Sequence, residues 1–101
     1  MGLGDIKNIF QQALKVKNDM KKKQKELENQ VISIDKNGLN IKINGNQEII
    51  SIKIDEKMNL KDLKKLEILI KNNINEAIQK SKKLLNNEIS KITKNLNIPG
   101  L

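Results

Sequence analysis

Between Asp5 and about Glu28 the apolar residues Ile6, Ile9, Ala13, Val16, Met20 and Leu27 recur at spacings of three and four, with a gap at Lys23. That period places them on one stripe of an amphipathic helix, with Phe10 beside the stripe and expected in the core. Asp5 stands where a carboxylate can cap the first turn and oppose the helix dipole. Lys15, Lys17, Lys21, Lys22, Lys23 and Lys25 crowd the later turns, where cations are favoured.

The period then changes. Ile32 and Ile34, next Leu39, Ile41 and Ile43, and finally Ile50, Ile52 and Ile54 alternate with polar residues, which predicts strands with one buried face. Asn37-Gly38 and Asn44-Gly45 separate the three runs, and Asn-Gly suits a tight hairpin because both residues tolerate positive φ. A three-stranded antiparallel meander is expected. Residues 59–62 form a capping arrangement ending in Asp62, and a second helical stripe follows through Leu63, Leu66, Ile70, Ile74, Ala77, Ser81, Leu84, Ile92 and Leu96 until Pro99-Gly100. Such a helix would span about 55 Å at 1.5 Å per residue.

The pattern therefore predicts an α+β domain, α-β-β-β-α, occupying residues 1–101 as one unit. An ordinary compact chain of this size has a radius of gyration of about 13 Å, so a helix of that length overruns the globule. Its apolar stripe and the uncovered edges of three short strands call for a second copy, and an intertwined homodimer is expected.

Charge sharpens this picture. All twenty basic residues are lysine, and the net charge is +8. Residues 1–28 hold seven Lys against four acids and residues 59–101 nine against four, whereas residues 29–58 are balanced at four each. The positive charge thus belongs to the helices. It tightens further in residues 11–25, with six Lys against Asp19 alone, and in residues 80–101, with five Lys against Glu88 alone. Lysines at 61, 64, 65 and 71 have Asp62 and Glu67 among them and read as an ordinary solvated face. The denser clusters read as a footprint for a polyanion, with duplex DNA the first candidate.

Lys, Asn and Ile number 20, 15 and 17, the bias that AT-rich coding produces. Without arginine the chain lacks the fork that pairs bidentately with guanine, so contacts should be point charges on phosphate with little sequence specificity. A single Phe, and no Tyr or Trp, disfavours a stacking platform for single strands.

Catalysis finds no support. There is no Cys and no His, so thiolate metal sites, disulfides and the commonest general base are missing. Asp55 and Glu56 are neighbours whose side chains alternate across a strand, and Ser33, Ser51, Ser81 and Ser90 have no base to activate them. Gly2 and Gly4 do not follow a strand and make no phosphate loop. No cofactor, metal or small-molecule substrate is expected. No basic n-region precedes an apolar run and no stretch nears the roughly 20 apolar residues of a membrane helix, so the expectation is a cytoplasmic, soluble protein.

Several strings occur in a familiar order: Gly2-Leu3-Gly4 before the Gln- and Lys-rich helix, Leu39 to Gly45 ending in Ile-Asn-Gly, and Ile52-Lys53-Ile54-Asp55. Leu66-Glu67 with Leu69-Ile70, then Asn75-Glu76-Ala77, and Pro99-Gly100 follow. In these the chain resembles the YbaB/EbfC family of bacterial nucleoid-associated proteins across nearly its whole length. Two departures fall in loops, Glu56 where the family has Pro and a shortened bend before Leu39; Gln79-Lys80 stands where relatives commonly have two basic residues and the tail ends at Leu101, which together imply weaker DNA affinity. The resemblance implies a tweezer-like homodimer with projecting helices that binds duplex DNA and helps organise the nucleoid, possessing neither enzyme activity nor cofactor. The candidate phosphate contacts, chosen on clustering, are Lys15, Lys21, Lys22 and Lys25 of the first helix and Lys80, Lys83 and Lys91 of the last. The competing expectation is a chaperone-like or adaptor protein whose helical arms hold another protein, with the lysines merely solvated.

Overall fold

A computed structural model describes residues 2–58 and 61–94. Its elements are α1 (Leu3–Glu28), β1 (Val31–Lys36), β2 (Leu39–Asn44), β3 (Ile49–Ile54) and α2 (Leu63–Lys94). The α-β-β-β-α order and the antiparallel sheet β1-β2-β3 are those the hydrophobic pattern calls for. The chain is drawn out, with a radius of gyration of 20.1 Å and extents of 71 × 22 × 15 Å.

The first hairpin turns on Asn37 and Gly38, with φ of 55° and 81°, the positive pair that a two-residue hairpin turn requires. The second turn is built differently from the Asn-Gly expectation. Asn44 remains the last residue of β2, and the positive φ, 61°, falls on Gln47. Asn44 Oδ1 accepts from the N–H groups of Asn46 at 2.9 Å and Glu48 at 3.0 Å, so a side chain substitutes for the ladder through the bend. On β3 one extra residue, Ile50, bulges out, since Lys42 pairs with Ser51 and Ile43 with Ile49.

α1 begins at Gly2, which makes no side-chain cap bond; Asp5 contributes charge in the first turn, and its N–H donates to the Gly2 carbonyl at 3.1 Å. The far end of α1 is capped by the second turn. Gly45 N–H donates to the Leu27 carbonyl at 2.8 Å and Asn46 Nδ2 to the Gln24 carbonyl at 2.9 Å, satisfying two of the acceptors that a helix C-terminus leaves open. α2 opens on Asp62, whose Oδ1 accepts from Lys65 N–H at 3.1 Å; Asn59 and Leu60 of the expected cap, and Leu96 and Pro99-Gly100 of the expected stop, lie outside the described residues.

The core is small. Ile34, Ile41, Ile43 and Ala77 form its centre, with Ile32, Ile74 and Ile78 packed around it, and Leu27 and Leu39 are also buried. α2 lies across β1 and β2 with Asn73, Ala77 and Ser81 facing inward. Ser81 fits because its hydroxyl donates to the Asn44 carbonyl at 2.7 Å and accepts from Gln47 N–H and Nε2, both at 3.1 Å. Asn73, which the apolar stripe omits, donates from Nδ2 to the Lys36 carbonyl at 3.2 Å.

Beyond the sheet α2 continues and α1 runs back along it. Met20, Gln24 and Leu27 meet Leu85, Ile89 and Ile92, forming a two-helix arm. Among its described residues the stripe of α2 is therefore buried or half-buried inside the chain, except at Leu63, which is 62% exposed.

Apolar groups stay open on β3 and on α1 among the described residues. Ile49, Ile52 and Ile54 pair with Ile43, Ile41 and Leu39 and so share the face that α2 covers, yet α2 stops short of β3 and leaves Ile52 and Ile54 at 43% and 42% exposure. On α1, Ile6, Ile9 and Leu14 are exposed. Phe10, expected in the core, is 64% exposed, and Ile6 and Ile9 on the stripe beside it are exposed at 55% and 39%, so nothing among the described residues covers this part of α1.

Candidate nucleic-acid interface

Helical spacing and ion pairing decide which lysines come together. On α2, Lys80, Lys83 and Lys91 fall at intervals of three and eight residues, with Asn87 between and Lys94 after, so one face carries them over about 21 Å at 1.5 Å per residue. All four lysines are exposed. Lys91 also lines a groove between the helices together with Lys15 and Lys22 of α1, two residues one heptad apart. Lys15, Lys22 and Lys91 are thus gathered on one side of the arm, and Lys80 and Lys83 extend that side toward the sheet.

Lys21 and Lys25 are not part of that groove. They flank a separate depression with Gln24, Asn46 and Glu48, at the junction of α1 and the second turn. The seven candidate lysines therefore occupy two surfaces of one arm.

Glu88 organises the first of these surfaces. Lys23 Nζ reaches Glu88 Oε2 at 3.0 Å across the helix seam and Glu26 Oε2 at 3.1 Å along α1, and Lys91 Nζ reaches Glu88 Oε1 at 3.3 Å. The Glu88 side chain is only 12% exposed. Hydrogen bonds from Lys23 first and Lys91 second hold its carboxyl below the ordinary value, and the bond to Glu88 leads in raising Lys23. Lys23 is thereby committed to the seam. Lys91 keeps a 71% exposed side chain and can reach outward. No ion pair among the described residues involves Lys15, Lys21, Lys22, Lys25, Lys80 or Lys83.

Sequence reasoning missed the Lys23–Glu88 pair, although its signal was present. A lysine interrupting an apolar stripe asks for an acid across the seam, and Glu88 is the sole acid of residues 80–101. A second bridge, Lys36 Nζ to Glu76 Oε1 at 2.8 Å, ties the end of β1 to α2 and lowers the Glu76 carboxyl, chiefly through that hydrogen bond.

Among the described residues no group of three or more carboxylates, His or Cys could hold a metal ion, and no helix is long and apolar enough to cross a membrane. A projecting two-helix arm, rooted in a small meander, thus carries exposed ammonium groups on its surface. The sequence profile of the YbaB/EbfC DNA-binding family matches residues 1–96, and the chain belongs to that family, which is not a family of enzymes. A nucleoid-associated protein of Ruminiclostridium cellulolyticum is 39% identical, the match covering 97% of this chain and 89% of that relative. Nucleoid-associated proteins of Alkaliphilus metalliredigens, 33% identical over 99% of this chain and 90% of theirs, and of Clostridium acetobutylicum, 36% identical over 100% and 93%, are similar along the same span.

Proposed function

We propose that this protein binds duplex DNA as a homodimer, with little sequence specificity, and that it acts in the cytoplasm on the nucleoid, organising DNA and modulating transcription. Family membership supports DNA as the partner. The observation that carries the mechanism is the lysine face of the arm, Lys80, Lys83 and Lys91 on α2 with Lys15 and Lys22 beside them. Each would act as a point charge on a phosphate, releasing condensed counterions, and Lys21 and Lys25 would add contacts on a second side. A side chain without a guanidinium fork contributes little direct base readout, which fits a binder of general DNA.

Dimerisation rests on β3. Its outer edge has no partner strand among the described residues, and the isoleucines on its inner face are half-covered. Completing their burial would stabilise an assembly by about 1 kcal/mol per side chain, and a second copy offers an identical strand.

The test is a fluorescence titration of a labelled duplex across a range of salt. If six phosphates are neutralised, log K should fall against log salt with a slope of about −5. Reversing Lys80, Lys83 and Lys91 to Glu should flatten that slope and abolish binding at moderate salt. Full affinity after reversal, with an unfolded protein client bound instead, would favour an adaptor whose lysines are only solvated.

A further inference from the structure

A face of α1 separate from the groove of Lys15 and Lys22 carries an ordered stripe: Lys7, Phe10, Leu14, Lys17, Lys21 and Lys25, at spacings of three, four, three, four and four. These intervals keep all six on one side of a helix across about 27 Å. Every one is exposed, Phe10 at 64% and Leu14 at 45%. None of the four lysines makes an ion pair among the described residues, and no acid enters the stripe before Glu28. The chain's one aromatic side chain thus stands in water on the arm, bracketed by cations.

Two large apolar groups in a basic stripe restrict the partner. A second copy meeting this face would bring lysine against lysine. A duplex accepts both elements, because phosphates take the ammonium groups and the stacked base pairs behind them offer an apolar slot. Proteins that grip DNA by charge use Phe, Leu and similar side chains as wedges that partly unstack a base step and kink the helix.

We propose that Phe10, supported by Leu14, is a wedge that α1 inserts between base pairs of a duplex held by Lys7, Lys17, Lys21 and Lys25, so that the protein bends the DNA it binds. This rests on the duplex-DNA reading above and adds to it a site, a deformation and a source of preference. Pyrimidine–purine steps unstack most readily, so the wedge selects TA and CA steps without hydrogen bonds to base edges. The lysine-, asparagine- and isoleucine-rich composition is the kind that AT-rich coding produces, and such DNA is rich in TA steps.

The experiment uses the full chain and short duplexes labelled at both ends for energy transfer, one with a central TA step and one with a central GG step. The wild type should raise transfer on the TA duplex, bind it several-fold more tightly than the GG duplex, and kink it by an angle within about 20–90°. F10A/L14A should lose both the bend and the preference while its salt slope persists, and F10W, which keeps an aromatic wedge, should retain the bend. Both positions are exposed, and melting curves confirm that the variants fold. A wild type that binds without bending, or an F10A/L14A variant that bends DNA as well as the wild type, overturns the wedge. A wild type that does not bind duplex at all overturns the underlying DNA reading instead. Vesicles containing anionic phospholipid form a third arm: binding to them that needs Phe10, with DNA bending independent of it, overturns the wedge in favour of a membrane surface.

Discussion

Gly45 sits against Leu27 so closely that a Cβ on the glycine would stand 2.7 Å from Leu27 Cδ2 and 2.9 Å from the Leu27 carbonyl oxygen. The same pair is joined by the 2.8 Å hydrogen bond from Gly45 N–H to that carbonyl. The glycine is required by approach and not by an unusual backbone angle. Gly45→Ala should therefore force α1 away from the turn and cost about 2 kcal/mol, as overpacking in a closed contact does. Thermal melting followed by circular dichroism reads the loss. An unchanged midpoint would mean that the root of α1 has slack that this geometry does not show.

Ser81→Ala removes one hydroxyl that serves three groups. The Asn44 carbonyl and two N–H donors of Gln47 would be left without it in a part-buried site, at a cost of about 1–3 kcal/mol. For a domain of this size each kcal/mol lowers the midpoint by about 4–8 °C. Hydrogen exchange should localise the loosening to the second turn, because Gln47 would keep only its bonds to the Asn44 carbonyl at 3.3 Å and the Gly45 carbonyl at 2.9 Å.

Acid should weaken the arm through Glu88. Its carboxyl is held below the ordinary 4.5 in the folded chain, so its stabilisation is present above that value and disappears as pH falls through the lower folded value. Glu76 follows the same sign through Lys36. Lys23 behaves oppositely: held above 10.5, it stabilises below that value and is lost as alkali carries pH through the raised one. Glu88→Gln should lower the midpoint at neutral pH and flatten its decline as pH falls below 4.5. Melting curves across pH check this, and an acid limb identical to the wild type's would refute the role of the pair.

Lysine placed on β3 separates an interface from an ordinary surface. In the single chain Ile52 and Ile54 are partly in water, so I52K/I54K should leave the circular dichroism spectrum of the monomer fold intact. If β3 joins two copies, the double variant should sediment at half the mass of the wild type, since four buried ammonium groups would face each other. Equal masses would remove β3 from the interface.

Much of this fold could be read from periodicity, because helix and strand repeat at 3.6 and 2.0 residues and the chain keeps each period cleanly. Asn37-Gly38 announced its hairpin for the same local reason. Asn44-Gly45 marked the place of the second hairpin but not its geometry, since its glycine answers to Leu27, eighteen positions earlier, and no local rule reports such a contact. Phe10 misled in a different way. It borders the stripe, yet Ile6 and Ile9 on the stripe are exposed too, because the helical period reports which face is apolar and not how far along the helix a partner lies against it. The lysine clusters were visible as composition. Their division between the groove of Lys15, Lys22 and Lys91 and the junction of Lys21 and Lys25 depended on how α1 is rolled against α2, which is set by the seam residues Met20, Leu27, Leu85 and Ile92.

The anchoring of α1 at one end gives it the mechanics of a lever. From its fixed root beside Gly45 the helix runs 26 residues, about 39 Å at 1.5 Å per residue. A tilt of about ten degrees at the root sweeps the free end through about 7 Å, or two steps along a DNA strand at about 3.4 Å each. A single methyl group at the pivot thus shifts where the tip lands on its track, and changes in reach can arise far from any residue that touches a phosphate.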